Sequence, residues 1–236
     1  MQGELVAAME AIGVEVGPVA SGRTDLGVHA RMQVVSFRVG DALPAADIAA
    51  LLNRRLPAGL GIAQVADAPR KFSAQWKATG KEYRYRLLLA DDSAWSPYAW
   101  RVDVEPTRVA QLLQRAVGTR DFWAFHEKAS PRIPRTLSKV ELVEVAPGRV
   151  DVRLTGSGFG RYQVRYLVGG AVAVARGELP EEAFVAGLEQ AIAFRGTKAP
   201  ALGLTLWEVF YPPEFDPFPA AVRAAAAGVP RQPPFI

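Results

Sequence analysis

A chain of 236 residues with net charge +4, no cysteine and two histidines, His29 and His126, is long enough for one large domain or two of about 100 residues each. The missing cysteines exclude disulfides, thiolate nucleophiles and iron–sulfur clusters. Two histidines exclude a His-rich metal site, so any catalysis must come from carboxylates, hydroxyls, Lys and Arg.

In chain order, Leu5, Val6, Met9 and Ile12 recur at helical spacing, which predicts an amphipathic helix from Gln2 to Ile12, stopped by Gly13. Val14 to Ala20 and Met32 to Val39 read as strands, and the polar segment Ser21 to Ala30 is expected as a loop between them. A second helix is predicted over Ala45 to Arg55, with strand candidates at Gly61 to Val65, Phe72 to Ala78 and Glu82 to Leu89. The last alternates with period two through Tyr83, Tyr85 and Leu87. Thr107 to Val117 reads as a helix, and Leu137 to Val145 pairs with Arg149 to Thr155 across Pro147-Gly148. Apolar helices from Tyr162 to Arg176 and Pro180 to Phe194 and a strand from Gly203 to Tyr211 follow, and a proline-rich tail ends the chain. The mixed order predicts an α+β protein with helices on a mostly antiparallel sheet. The expected division is an N-terminal subdomain over 1–75, a C-terminal subdomain over 76–213 and the tail over 214–236.

No apolar run approaches the roughly 20 residues of a membrane span, and Met1 to Ala8 is no signal peptide, so a cytoplasmic location and no membrane partner are expected. The mild positive charge fits an anionic partner. Cations crowd at Arg54, Arg55, Arg70 and Lys71, at Lys81, Arg84 and Arg86, and at Lys128, Arg132, Arg135 and Lys139. Such patches suit phosphate contacts that are salt-sensitive and blind to sequence.

The segment Ser21-Gly22-Arg23-Thr24-Asp25-Leu26-Gly27-Val28-His29-Ala30 holds a carboxylate between two glycines. Glycines there allow the loop to aim Asp25 into a cleft. An ordinary polar turn with a surface Arg–Asp pair has the same composition. Gly156, Gly158 and Gly160 lack both the dinucleotide pattern and a phosphate-loop lysine, and read as a strand-to-helix turn.

The run GRTDLGVHARMQVVSF resembles the catalytic motif of the TruA family of tRNA pseudouridine synthases. The resemblance continues at Leu52-Asn53 with Leu56-Pro57, at Lys81-Glu82-Tyr83-Arg84-Tyr85, and at Asp121-Phe122 with Phe125. It runs on through Gly158-Phe159-Gly160-Arg161-Tyr162-Gln163-Val164-Arg165 to Ala199-Pro200-Ala201-Leu202-Gly203-Leu204. It implies two ferredoxin-like subdomains and a homodimer acting on uridines 38, 39 and 40 of the tRNA anticodon arm, without metal or organic cofactor. It assigns the catalytic carboxylate to Asp25, the active-site tyrosine to Tyr83 and the arginine paired with the aspartate to Arg165. RNA contacts are expected at Arg23 and Arg161, and at His29, which reads equally as a satisfied turn residue.

Isomerisation breaks the C1′–N1 glycosidic bond, turns the base and rejoins it through C5. A carboxylate serves this as nucleophile or as the base of a glycal route. Tyr83 would stack on the base or relay the C5 proton, and is equally a half-buried strand residue. A guanidinium at Arg165 would hold Asp25 by two parallel hydrogen bonds.

Leu26 and Met32 replace the family's small residues, and Ser73 and Gln75 stand where His and Arg are frequent. The family pattern also has a strand ahead of the helix at Gln2, missing here, and the native protein is expected to carry it. A catalytically inactive RNA-binding homologue is the alternative, and a nucleoside hydrolase releasing free uracil is a second. The presence of Asp25, Tyr83 and Arg165 together argues for the synthase.

Overall fold

The computed structural model describes residues 1–14, 17–39, 43–127, 132–190 and 196–218. From the N-terminus it forms α1 (Gln2–Glu10), β1 (Val19–Ala20), β2 (His29–Ala30), β3 (Val35–Ser36) and α2 (Ala45–Asn53). There follow β4 (Gly80–Leu88), β5 (Trp100–Arg101), α3 (Pro106–Gln114), β6 (Gly118–Arg120), β7 (Arg135–Ala146) and β8 (Arg149–Gly156). Helices α4 (Gln163–Ala175) and α5 (Glu181–Glu189) and strand β9 (Leu204–Phe210) complete the order. The α+β class expected from the sequence is therefore the one observed.

By internal contacts the chain forms two compact units. The smaller comprises Met1–Arg23, Val34–Ala78 and residues 210–218 of the C-terminal chain, and the larger comprises Thr24–Gln33 and Thr79–Val209. The Asp25 loop thus groups with the larger unit.

In the smaller unit α1 and α2 bury Ala8, Met9, Ile48 and Leu52 with Val14, and Leu5, Phe37, Leu56 and Ile62 pack around them. β1 and β3 pair antiparallel over two residues each, much less than the strands expected from Val14 to Ala20 and Met32 to Val39. Residues 15 and 16 of the first lie outside the described residues.

Neither Gly61 to Val65 nor Phe72 to Ala78 becomes a strand, because side chains and turns take their backbone groups. Asn53 Nδ2 donates to the Ile62 carbonyl at 2.9 Å and its Oδ1 accepts from the Ile62 amide at 2.7 Å. The Phe72 amide donates to the Pro69 carbonyl at 2.7 Å and the Lys77 amide to the Ser73 carbonyl at 3.0 Å. A serine that closes local turns competes with the ladder for the same groups.

The larger unit is built on a seven-stranded sheet in the order β2-β9-β4-β8-β7-β6, with β5 beside β4. Its antiparallel spine is the β7–β8 hairpin expected across Pro147-Gly148, with Gly148 at φ +70, and β8 paired to β4 from Lys81↔Gly156 to Leu88↔Arg149. Tyr83, Tyr85 and Leu87 are buried as the alternation predicts, but Arg86 and Leu88 between and after them are buried too, so the end of β4 is covered on both faces. Helices α3 and α4 carry the apolar side chains Leu112, Leu113, Leu167, Val168 and Val172, each at most 1 % exposed. Buried on that scale, a Leu or Val side chain contributes about 1.5–3 kcal/mol. The last helix was expected to reach Phe194; α5 ends at Glu189, and residues 191–194 are outside the described chain.

Gly169 in α4 sets a close approach. A Cβ there would lie 1.9 Å from the Thr197 carbonyl oxygen and 2.7 Å from the Ala199 amide nitrogen. Alanine has the better helix propensity by about 1 kcal/mol, but the neighbours are backbone and cannot turn aside. Gly169→Ala should therefore destabilise by about 1–3 kcal/mol despite that gain, read as a lower urea midpoint. An unchanged or raised midpoint would show that the 197–199 segment does not rest on α4.

Candidate active site

The loop bearing Asp25 is held from both sides. The Asp25 carbonyl accepts from the Val28 amide at 3.0 Å, and Gly27 at φ +81 occupies the third turn position, where a type II turn requires positive φ. Val28 is buried, whereas Leu26 is 99 % exposed. Directly after the turn, β2 pairs parallel with β9 through His29↔Thr205 and Ala30↔Leu206, and the Arg31 amide donates to the Leu206 carbonyl at 2.9 Å. Ser21 to Ala30 is thus not a plain loop between two strands, since its last two residues enter the larger sheet.

Arg165 lies in the first turn of α4 with its side chain 11 % exposed. Its Nη1 reaches Asp25 Oδ2 at 3.4 Å, while its Nε donates to the Ala199 carbonyl at 2.8 Å. The two parallel bonds to the carboxylate expected from the sequence are not formed. The guanidinium instead bridges, one edge on the Ala199 backbone and one nitrogen towards Asp25. Its main-chain carbonyl also accepts from the Ala199 amide at 3.0 Å, so residue and segment are tied twice. The same segment is pinned by Tyr85, whose hydroxyl donates to the Pro200 carbonyl at 2.7 Å.

Tyr83 is 8 % exposed, with its ring edge-on to Phe159 at 5.2 Å. Burial pushes its phenol well above the ordinary range, and the nearby Asp25 charge adds to that shift. The phenol is therefore neutral, and it lies near enough to Asp25 to feel that residue's charge. Asp25, Tyr83 and Arg165 accordingly come together within one unit.

The expected RNA contacts are dispersed. Arg161 is exposed, and its Nη2 donates to the Tyr162 hydroxyl at 2.8 Å. Arg23 is exposed and belongs to the smaller unit. His29 is half-buried with its ring 5.2 Å from that of Tyr98. Burial lowers its pKa, opposed in part by hydrogen bonding to the Leu202 and Pro97 backbone.

Sequence reasoning gave no role to Phe159, the Ala199 carbonyl or Tyr162. Phe159 sits in a segment already singled out, but a backbone carbonyl leaves no mark in a sequence. Tyr162 is the only non-glycine residue at positive φ among the described residues, at φ 64, a conformation that costs roughly 1–2 kcal/mol. Gln163 braces the turn: its Oε1 accepts from the Gly160 amide at 2.7 Å. The ring of Tyr162 is met by the guanidinium of Arg165 at 5.3 Å and the ammonium of Lys198 at 4.0 Å.

Residues 112–212, which include Arg165 and Lys198, match the family described as tRNA pseudouridine synthase. The chain is 39 % identical over 207 residues to tRNA pseudouridine synthase A of Syntrophotalea carbinolica, covering 83 % of this chain and 80 % of that protein. It is 37 % identical over 220 residues to tRNA pseudouridine synthase A of Chlorobaculum tepidum, covering 89 % and 87 %. It is 32 % identical over 225 residues to tRNA pseudouridine synthase A 1 of Desulfotalea psychrophila, covering 89 % and 90 %. With relatives 32–39 % identical and matched over four fifths or more of their length, the chain belongs to the TruA family of tRNA pseudouridine synthases, isomerases that convert uridine to pseudouridine in tRNA.

Proposed function

We propose that this chain isomerises uridine to pseudouridine at positions 38, 39 and 40 of the tRNA anticodon arm, with Asp25 as the catalytic carboxylate. The observation that carries the assignment of Asp25 is its placement on a fixed turn, with Oδ2 3.4 Å from Nη1 of the largely buried Arg165. Asp25 acts at the ribose as the C1′–N1 bond breaks, either as nucleophile at C1′ or as base in a glycal route. Arg165 fixes the carboxylate's direction. Tyr83 lies against the base, and its hydroxyl relays the proton lost from C5 after the C1′–C5 bond forms. No step needs a metal or organic cofactor.

The remaining expectations extend this reading. The enzyme acts in the cytoplasm as a homodimer, Arg23 and Arg161 contact RNA, and His29 supports the turn beside Asp25 as well as the RNA. The half-burial of His29 against Tyr98 supports the packing part of that role.

Asp25→Asn should abolish pseudouridine formation on a tRNA transcript while leaving tRNA affinity within a few-fold, because affinity comes mainly from phosphate contacts by cations. Pseudouridine made by the purified variant would refute the assignment of Asp25.

Arg165→Lys should lower the single-turnover rate about a hundredfold with the fold kept, since an ammonium cannot serve the Ala199 carbonyl and Asp25 from one rigid plane. An unchanged rate would show that the bridge does not orient the carboxylate.

A further inference from the structure

We propose that Lys198, seated on the ring of Tyr162 beside Arg161, forms a subsite for a backbone phosphate flanking the target uridine. The proposal rests on the reading of Asp25 as the catalytic carboxylate and adds a residue that the reading does not use.

Three cations surround the one ring. Lys198 Nζ lies 4.0 Å from the Tyr162 ring centroid, the Arg161 guanidinium 4.7 Å and that of Arg165 5.3 Å. All four residues belong to the larger unit. Like charges gathered so closely repel, and the π-face of a single tyrosine offsets only part of this. Arg165 has Asp25 as its counter-ion. Lys198 is exposed and makes no salt bridge among the described residues. An arriving anion would give Lys198 the counter-charge that no salt bridge among the described residues supplies.

The cluster is also built to hold still. The Lys198 backbone lies between Thr197 and Ala199, which Gly169 and Arg165 fasten to α4. Tyr162 is set by its left-handed backbone, and its carbonyl accepts from the Tyr166 amide at 2.9 Å. A long lysine side chain on a fixed segment loses less freedom on binding than one on a mobile loop.

The ligand class follows from the same geometry. Lys198 presents an exposed ammonium over the ring, which an anion can meet without displacing it. In RNA that anion is the phosphodiester, which lysine contacts as a point charge and arginine by its fork. Arg165 touches both Asp25 and Tyr162. The subsite is therefore linked to the carboxylate through one side chain, Arg165. Such a contact positions the nucleotide and does not read sequence.

The test uses the full chain, an anticodon stem-loop RNA and Lys198→Ala and Lys198→Arg variants. Lys198→Ala should weaken binding roughly three- to tenfold and reduce the slope of log affinity against log salt by about 0.7 to 0.9, one phosphate contact. The loss should fall on KM, and Lys198→Arg should restore most of it. A neutral methylphosphonate at the linkage flanking the target should weaken wild-type binding and add nothing to Lys198→Ala. Unchanged affinity and salt slope in Lys198→Ala would overturn the proposal, as would a lower saturated rate at unchanged affinity. A wild-type chain that binds the stem-loop but forms no pseudouridine, with salt slopes still differing, would leave the phosphate subsite standing and overturn the catalytic reading instead.

Discussion

One guanidinium holds the candidate site together. Arg165 spends its Nε on the Ala199 carbonyl and offers Nη1 to Asp25, so a residue from the start of α4 links the segment before β9 to the turn before β2. Because β2 and β9 are themselves paired in parallel, the carboxylate, the arginine and the segment between them form a closed circuit of contacts. A planar, always-charged group can make both contacts without choosing between them. Several small-residue positions around it make sense on these terms. Gly169 lets the 197–199 backbone lie on α4, and Gly203 leaves room for the Tyr85 ring whose hydroxyl holds Pro200.

A detached uracil must be retained and turned without escaping, which calls for a site that is dry and already in place. Tyr83 meets the first need: its ring is buried against Phe159, and burial keeps the phenol protonated far above neutral pH. The second is met by rigid elements, since Tyr83 stands in the middle of β4 between the ladders to β8 and β9. Cations open to solvent lie elsewhere, among them Arg161 and Lys198. On the proposed reading, chemistry falls to buried groups and RNA attraction to exposed ones, a division by solvent access.

How much could be read from residues alone depended on whether a signal was local. The alternation of Tyr83, Tyr85 and Leu87 and the turn at Pro147-Gly148 are local, and the strands they announce are present. Strands over Val14 to Ala20 and Met32 to Val39 are also announced locally, though only two residues of each pair, as β1 and β3, whereas β2 owes its existence to β9, a partner that no window around His29 contains. The Asp25–Arg165 pair spans 140 positions, and only the family resemblance joined them in advance. Even so, it suggested a fork laid on the carboxylate, because nothing in a sequence discloses that the Ala199 carbonyl takes one of the donors.

Charge was the most misleading signal, and the structure shows why. The run Lys81, Arg84 and Arg86 looked like a phosphate-binding patch. Arg86 is instead buried in a two-bonded pair with Asp151, at 2.6 and 2.9 Å, across the β4–β8 ladder. Arg84 bonds Glu82 and lies over Trp207 at 3.6 Å, and burial lowers the pKa of Lys81. A buried, paired arginine is a structural cation whose removal of charge from water has already been compensated by its partner. By contrast Lys198, in no basic run at all, is exposed over the ring of Tyr162. Counting cations along the chain finds candidates for RNA binding, but a cation is free to attract a phosphate only where the fold has left it without a carboxylate and in contact with solvent.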